Sequence, residues 1–322
     1  MKELINLKRD KFICDIDDIR LDKYLSSQYK KYSRSNIQNL IDKGNVTVNG
    51  KKEKKNYNLK KKDLIEIKFP EPKKLEVKEE DIEIKIIYQD EYLAVVNKQR
   101  DMVVHPAPGN RTGTLVNGLL KELDNLSSIN GVIRPGIVHR IDKDTTGLLL
   151  IAKNNLAHIE LSKEIKKHKT KREYTALVHG IIPNNKGKIV LPIGRDPKNR
   201  KKMAVVNRNS KDAVTHFEVI KRFKKYTYLK LNLETGRTHQ IRVHLSHIGY
   251  PVVGDPVYGP KRNEFNMIGQ LLHAKKIGFN HPKTKEYMEF TADEPEDFMK
   301  ILKELDRRNK WKQKRLFLTK KL

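Results

Sequence analysis

With a single cysteine, Cys14, in 322 residues, the chain cannot form an intrachain disulfide, and a lone thiol without metal-binding neighbours fits a reducing compartment. Beside Phe12 and Ile13 it reads as a small packed apolar residue rather than a nucleophile. No stretch approaches the ~20 apolar residues of a membrane helix. Charge begins at Lys2 and Glu3, which argues against a secretory signal. The expectation is a soluble, cytoplasmic monomer with no membrane partner. Acidic residues are in deficit: 40 Asp and Glu face 68 Lys and Arg, a formal net charge of +28. Such an excess indicates a polyanionic partner, nucleic acid ahead of membrane. Walker loop, HExxH and GxGxxG patterns are all missing. His239, His244 and His247 crowd one short segment without cysteine or carboxylate companions. They read as core or RNA-facing residues rather than zinc ligands.

What is present divides into two blocks and a tail: residues 1–69, a linker at 70–81, a larger domain at 82–305 and a basic tail at 306–322. In the first block Leu21, Tyr24 and Leu25 have helical spacing. Ser33 reads as the N-cap of a second helix through Ile37, Leu40 and Ile41, with Gly44 at its C-cap. Val46–Val48 followed by Asn49-Gly50 signals a hairpin, because both turn positions tolerate positive φ. A basic return strand and the alternating Leu64–Ile67 then close the unit. Pro70 and Pro72 mark the linker.

In the larger block, strands are expected at Ile82–Ile86, Leu93–Lys98, Arg172–Val178, Phe217–Val219 and Leu229–Leu233. Helices are expected after Thr114, through Ala157, Leu161 and Ile165, after an N-cap at Thr238, and over Glu296–Leu305. Residues 184–208 are poor in apolar side chains and read as a long exposed hairpin, with Arg195, Lys198, Arg200, Lys201 and Lys202 available to an RNA backbone. The tail from Arg307, carrying Trp311, reads as part-disordered. Many strands with a few interspersed helices predict an α+β fold with a largely antiparallel sheet.

The informative stretch is Arg134–Lys153, RPGIVHRIDKDTTGLLLIAK. A charged cluster sits in a loop that feeds the apolar run Leu148–Ala152, a strand buried on both faces. Asp142 and Asp144 could be turn residues. However, HRIDKDTTGLLLIAK resembles the signature HRLDxxTSGLLLxAK of the RluA/RluD-type pseudouridine synthases, with Ile141 and Thr146 as the departures. KREYTALVHG (Lys171–Gly180) and LETGRTHQIRVHLSHIGYPVVGD (Leu233–Asp255) resemble two further blocks of that family, in the family's order. Met102–Pro106 resembles the family's VVHP strand end, with Ala107 where glycine is expected, and Leu272–Ala274 and Phe279–Phe290 resemble its closing strands. The two helices and VTVNG hairpin of the first block resemble the S4 RNA-binding domain.

The resemblance implies the pseudouridine synthase fold, a mixed sheet in two halves with an RNA cleft between them. It implies isomerisation of uridine in RNA, most naturally large-subunit ribosomal RNA. The C1′–N1 bond breaks, the base turns, and it is rejoined through C5; no cofactor, metal or ATP is required. By the family match Asp142 is the catalytic carboxylate, attacking C1′, supporting it electrostatically or removing a sugar proton. Arg242 pairs with it through a two-pronged hydrogen bond, and its place off the apolar stripe Ile241, His244, Leu245, Ile248 leaves it free to reach a site. Tyr174 matches the active-site tyrosine, with a ring for stacking uracil. Arg140 matches the arginine that fills the gap left by the extruded base. His139 and Arg237 hold phosphates or the loop itself. In the S4-like block Lys23, Lys30, Lys31, Arg34, Lys43, Lys51, Lys52, Lys54 and Lys55 are available to phosphates. A non-catalytic RNA-binding assembly factor would share the basic charge. A hydrolytic RNA glycosylase would share Asp142 but release free uracil.

Overall fold

The computed structural model describes residues 8–29, 34–69, 77–107, 109–123, 125–127, 135–200, 202–261 and 264–319. Two compact units result, Met1–Leu75 and Glu76–Leu322. Ser33, Lys30, Lys31, Lys201 and most of the linker lie outside the described residues.

The first unit runs β1 (Lys8–Ile13), β2 (Ile19–Arg20), α1 (Leu21–Gln28), α2 (Arg34–Asp42), β3 (Val46–Val48), β4 (Asn58–Leu59) and β5 (Leu64–Phe69). Asn49 and Gly50 both take positive φ, 50° and 78°, as the turn requires. The expected basic return strand does not form: beyond the turn there is one bridge, Val48 to Lys51, and β3 pairs with β5 instead. Lys51–Lys55 offers no apolar face, whereas Ile65 and Ile67 alternate into the core with Leu21, Leu25, Ile37 and Val46. β1, which sequence reading missed, covers the other edge of β5. Asp22 is wholly buried on α1 and binds Arg20, Arg34 and Gln38. Burial alone would raise its pKa, but these three partners hold it down to about 2. The Arg34 guanidinium expected to meet RNA is therefore engaged in tying α2 to α1.

The second unit contains β6 (Lys85–Gln89), β7 (Leu93–Lys98), α3 (Leu115–Glu122), β8 (Thr146–Ala152), α4 (Asn155–Lys166), β9 (Lys171–His179), β10 (Lys186–Val190), β11 (Ile193–Arg195), β12 (Met203–Val205), β13 (Ser210–Lys211), β14 (Val214–Arg222), β15 (Tyr226–Leu233), α5 (Gln240–His247), β16 (Leu272–Asn280), β17 (Tyr287–Thr291) and α6 (Glu296–Thr319). Its nine-stranded sheet is ordered β10-β14-β15-β9-β16-β8-β7-β6, with β17 on β16. All pairings are antiparallel except β16–β8, which is parallel and joins the two halves through His273–Thr146 and Ala274–Gly147 alone. Gly147, at φ 110°, is required there, because a Cβ would stand 2.3 Å from the Ala274 carbonyl oxygen. β8 is buried at every position, as expected of a central strand.

Several expected elements are corrected. The strand at Ile82–Ile86 begins only at Lys85, because Ile84 packs against α3, where Gly118 leaves room for it. Met102–Pro106 is not a strand; the Val103 and Val104 carbonyls accept from Leu115 and Val116 at the start of α3. Thr114 caps that helix in a capping box with Asn117. Residues 184–208 are not one exposed hairpin. β10 forms the edge of the main sheet with Ile189 buried, and β11–β13 form a separate small sheet with Ile193 buried. Thr238 does not cap α5, which starts after His239 in the left-handed region. The tail continues α6 to Thr319. It contains no proline or glycine, and Glu304–Arg308 forms an i,i+4 pair at the point where disorder was expected. Among the described residues no helix is long and apolar enough to cross a membrane.

Candidate active site

The loop before β8 is fixed from several sides. Ile137 and Ile141 are buried in the core below it. The Asp142 carbonyl, not its side chain, closes the turn by accepting from Thr145 N–H at 3.1 Å, so the carboxylate is not a turn-maker. Lys98, fully buried on β7, donates from Nζ to the carbonyls of Gln99 and Lys143, both at 2.7 Å. Arg100 donates to the carbonyls of Asp144 and Gln270, and Gln270 donates to Thr145 Oγ1. Asp142 thus projects from a rigid frame.

Facing it is α5. Gln240 anchors the helix start, accepting from Arg237 N–H and donating to Val214 and Thr215. His244 anchors its middle, between Thr215 and the Leu191 carbonyl. Arg242 is 5% exposed, and its Nη1 donates to Asp142 Oδ2 at 2.9 Å. The expected two-pronged pairing with Asp142 is corrected here. The fork, Nε and Nη2, goes to Asp255 at 2.7 and 2.8 Å. Asp255 also accepts from Val257 and Tyr258 N–H, and Tyr258 carries the Arg242 guanidinium over its ring at 5.2 Å. Burial opposes ionisation of Asp255, yet these bonds keep its pKa below the usual carboxylate value. Burial likewise opposes the charge on Arg242, and the two aspartates more than restore it.

One consequence is chemical. Asp142 has one oxygen pinned and the other, Oδ1, without a hydrogen bond among the described residues; His239 Nε2 stands 3.9 Å from it. Asp142 borders a pocket of about 250 Å³ lined by Tyr174, Arg140, Arg172, Arg237, Leu272 and Arg242. That is below the ~300–1,000 Å³ usual for small-molecule sites and suits a single base. Tyr174 is buried in the pocket wall on β9, and burial raises its phenol pKa. A cavity of about 650 Å³ between Phe223–Tyr226 and the middle of α6 is larger. Its carboxylate, Glu264, is already bound by Tyr226 and Arg308, which leaves it no comparable chemistry.

Residues 92–247 match the family described as RNA pseudouridylate synthase, and residues 19–65 match the S4 domain. An RNA pseudouridine synthase of Bacillus subtilis is 51% identical over 287 residues, 89% of this chain and 94% of the relative. The chain belongs to the RNA pseudouridine synthase family. This synthase is therefore an isomerase with an N-terminal S4 domain. It is also similar to ribosomal large subunit pseudouridine synthase D of Zymomonas mobilis, at 41% identity over 89% of this chain and 93% of that one. The solved structure of human RNA pseudouridylate synthase domain containing 1 aligns at TM-score 0.56 and 26% identity, covering 70% of this chain and 86% of that one.

The other expected site residues of the synthase fare differently. Arg140 is exposed at the pocket rim and makes no hydrogen bond or ion pair among the described residues. Arg237 lines the pocket and donates from Nε to the Asp212 carbonyl. His139 holds its own loop: Nε2 accepts from Leu150 N–H at 2.9 Å. Burial, with the Arg172 guanidinium nearby, pushes its pKa down to about 3. An unfolded histidine, titrating near 6.5, binds the proton more tightly. Its contribution to stability is therefore complete above pH ~6.5 and is lost as pH falls toward 3. His139→Gln, which keeps an acceptor without that titration, is expected to flatten the fall in unfolding free energy over this window, as read by urea titrations at stepped pH. Lys51 and Lys52 remain exposed beyond the Asn49-Gly50 turn. Of the three histidines near α5, His239 bonds Tyr258, His244 is buried and His247 is exposed. Sequence reading missed Asp255, Tyr258, Lys98 and Arg172. Asp255 ends a family-like block, and its position after Gly254 was the available signal.

Proposed function

We propose that the synthase converts uridine to pseudouridine in large-subunit ribosomal RNA, with Asp142 as the catalytic carboxylate. The observation that carries this reading is Asp142 at the border of a base-sized pocket, with Oδ2 held by Arg242 and Oδ1 unbonded among the described residues. Attack on C1′ and removal of a sugar proton both need a charged oxygen free to move toward the sugar. Arg242, itself held by Asp255, keeps the carboxylate oriented through Oδ2 alone and leaves Oδ1 unbonded among the described residues. The choice of RNA rests on the S4 domain and the net charge of +28. Ribosomal RNA is supported by the name of the Zymomonas relative. The decisive test is a pseudouridine map of ribosomal RNA from cells with and without this gene. One or a few positions should lose the modification on deletion; an unchanged map would refute the substrate. Release of free uracil by the purified protein would make it a glycosylase instead.

Tyr174 supplies the stacking face for the extruded base, and its raised phenol stays protonated near neutral pH. Tyr174→Leu is expected to weaken binding of RNA carrying 5-fluorouridine at the target by ~1–3 kcal/mol, while Tyr174→Phe retains most of that affinity. In the S4 domain, Lys51 and Lys52 contact phosphates rather than bases. Replacing both with alanine is expected to weaken binding to all RNA sequences alike and to reduce the slope of log K against log salt by about 1 for each phosphate no longer neutralised. Filter binding across a salt series measures this, and an unchanged slope removes these lysines from the RNA surface.

A further inference from the structure

Arg172 stands on β9 two residues before Tyr174, on the same face of the strand, and lines the same pocket. It is 8% exposed and has no carboxylate partner: no ion pair involves it among the described residues. Nη2 reaches the Glu234 carbonyl at a long 3.3 Å. Nε is buried without an acceptor. Nη1 makes no hydrogen bond among the described residues and lies over Gly236, 2.5 Å from where a Cβ would stand. Glu234 pairs its carboxylate with His216 and Lys188, and Asp142 meets Arg242 through Oδ2, so neither forms an ion pair with Arg172. The neighbouring charge is another cation, Arg237, whose Nε is held by a backbone carbonyl. Burial and Arg237 both depress the pKa of Arg172, with Tyr174 opposing. A buried guanidinium with most of its donors idle is costly unless an anion completes it. Uridine is neutral, so the only anions an RNA strand brings to this pocket are its phosphodiesters.

We propose that Arg172, with Arg237 beside it, forms a phosphate subsite that grips a phosphodiester flanking the target uridine, positioning the extruded nucleotide against Asp142. This rests on the reading of the pocket as the place of an extruded uridine. The planar fork of a guanidinium matches two phosphate oxygens, and its place two residues from Tyr174 puts the anion site beside the stacking ring.

The test is a chemical double-mutant cycle on the full-length synthase. The substrate is a ribosomal RNA fragment carrying the uridine found by mapping, with either native linkages or one uncharged methylphosphonate next to that uridine. Arg172→Met keeps length and apolar stem but removes the charge, and Arg172→Lys restores a charge without the fork. On native RNA, Arg172→Met is expected to raise KM about 10- to 100-fold, the value of hydrogen bonds to a charged group, with a smaller change in kcat and partial rescue by Lys. The methylphosphonate is expected to cost wild type a similar factor at one of the two flanking linkages and to cost Arg172→Met almost nothing further. Thermal unfolding of Arg172→Met should match or exceed wild type, since a buried unpaired charge is gone. If both linkages cost the variant as much as wild type, or if KM is unchanged, the subsite is wrong while product formation leaves the synthase reading intact. If wild type forms no pseudouridine at all, that reading fails and takes the subsite with it.

Discussion

Asp142→Asn is expected to lower pseudouridine formation by ~10⁴-fold or more, the scale of losing a group that acts directly on the reacting bond. Folding should be almost unchanged, within about 1 kcal/mol. The reason lies in how Arg242 is held. Its Nε and Nη2 are satisfied by Asp255, and an asparagine at 142 still offers an oxygen to Nη1. Removing the charge at 142 therefore strands no buried ion, and the pocket keeps its shape. RNA affinity should persist, because the S4 domain and the pocket's arginines are untouched. Carbodiimide labelling with primer extension reads the product, and gel shift reads binding. A variant that forms product at the wild-type rate would show that another group carries the reaction. A variant that loses binding and product together would instead place Asp142 in RNA capture.

Asp255→Asn should behave in the opposite sense. Asp255 lies fully buried and accepts from Arg242 and from the Val257 and Tyr258 amides. Neutralising it leaves Arg242 with one charged partner reached by a single bond. Truncating one member of a buried ion pair typically costs ~3–5 kcal/mol, and that is the loss expected in urea unfolding with an unchanged m-value. The released fork would be drawn to Asp142 and engage the oxygen that is now unbonded. Activity should then fall by ~10²–10³-fold, as when one preorganised electrostatic interaction is removed. A stable, fully active Asp255→Asn would mean that Arg242 needs no second carboxylate to hold its position.

The family-like blocks were legible because they are local in sequence: the loop and strand of Asp142, the strand of Tyr174 and the short helix of Arg242 each lie within one block. Leu148–Ala152 announced a buried strand with a charged loop before it, and β8 is that strand. What sequence did not show is which partner a polar group chooses. Arg242 and Asp142 are a hundred residues apart, and whether the guanidinium offers its fork or its edge depends on Asp255 arriving by a separate turn. Arg172 was invisible for the same reason, since a missing partner has no local signature. Edge strands were hardest. β10 has few apolar residues because one of its sides faces solvent, so it resembled a loop, and β3 chose the apolar β5 over the polar residues that follow its own turn.

The anchoring of the Asp142 loop has a consequence for variation. Lys98 and Arg100 grip carbonyl oxygens of Gln99, Lys143, Asp144 and Gln270, and every amino acid supplies that atom. The Lys143 side chain, whose ion pair with Asp101 is solvent-exposed, is thus at liberty to differ between kindred enzymes without shifting Asp142. Saturation mutagenesis should find position 143 permissive and position 98 intolerant.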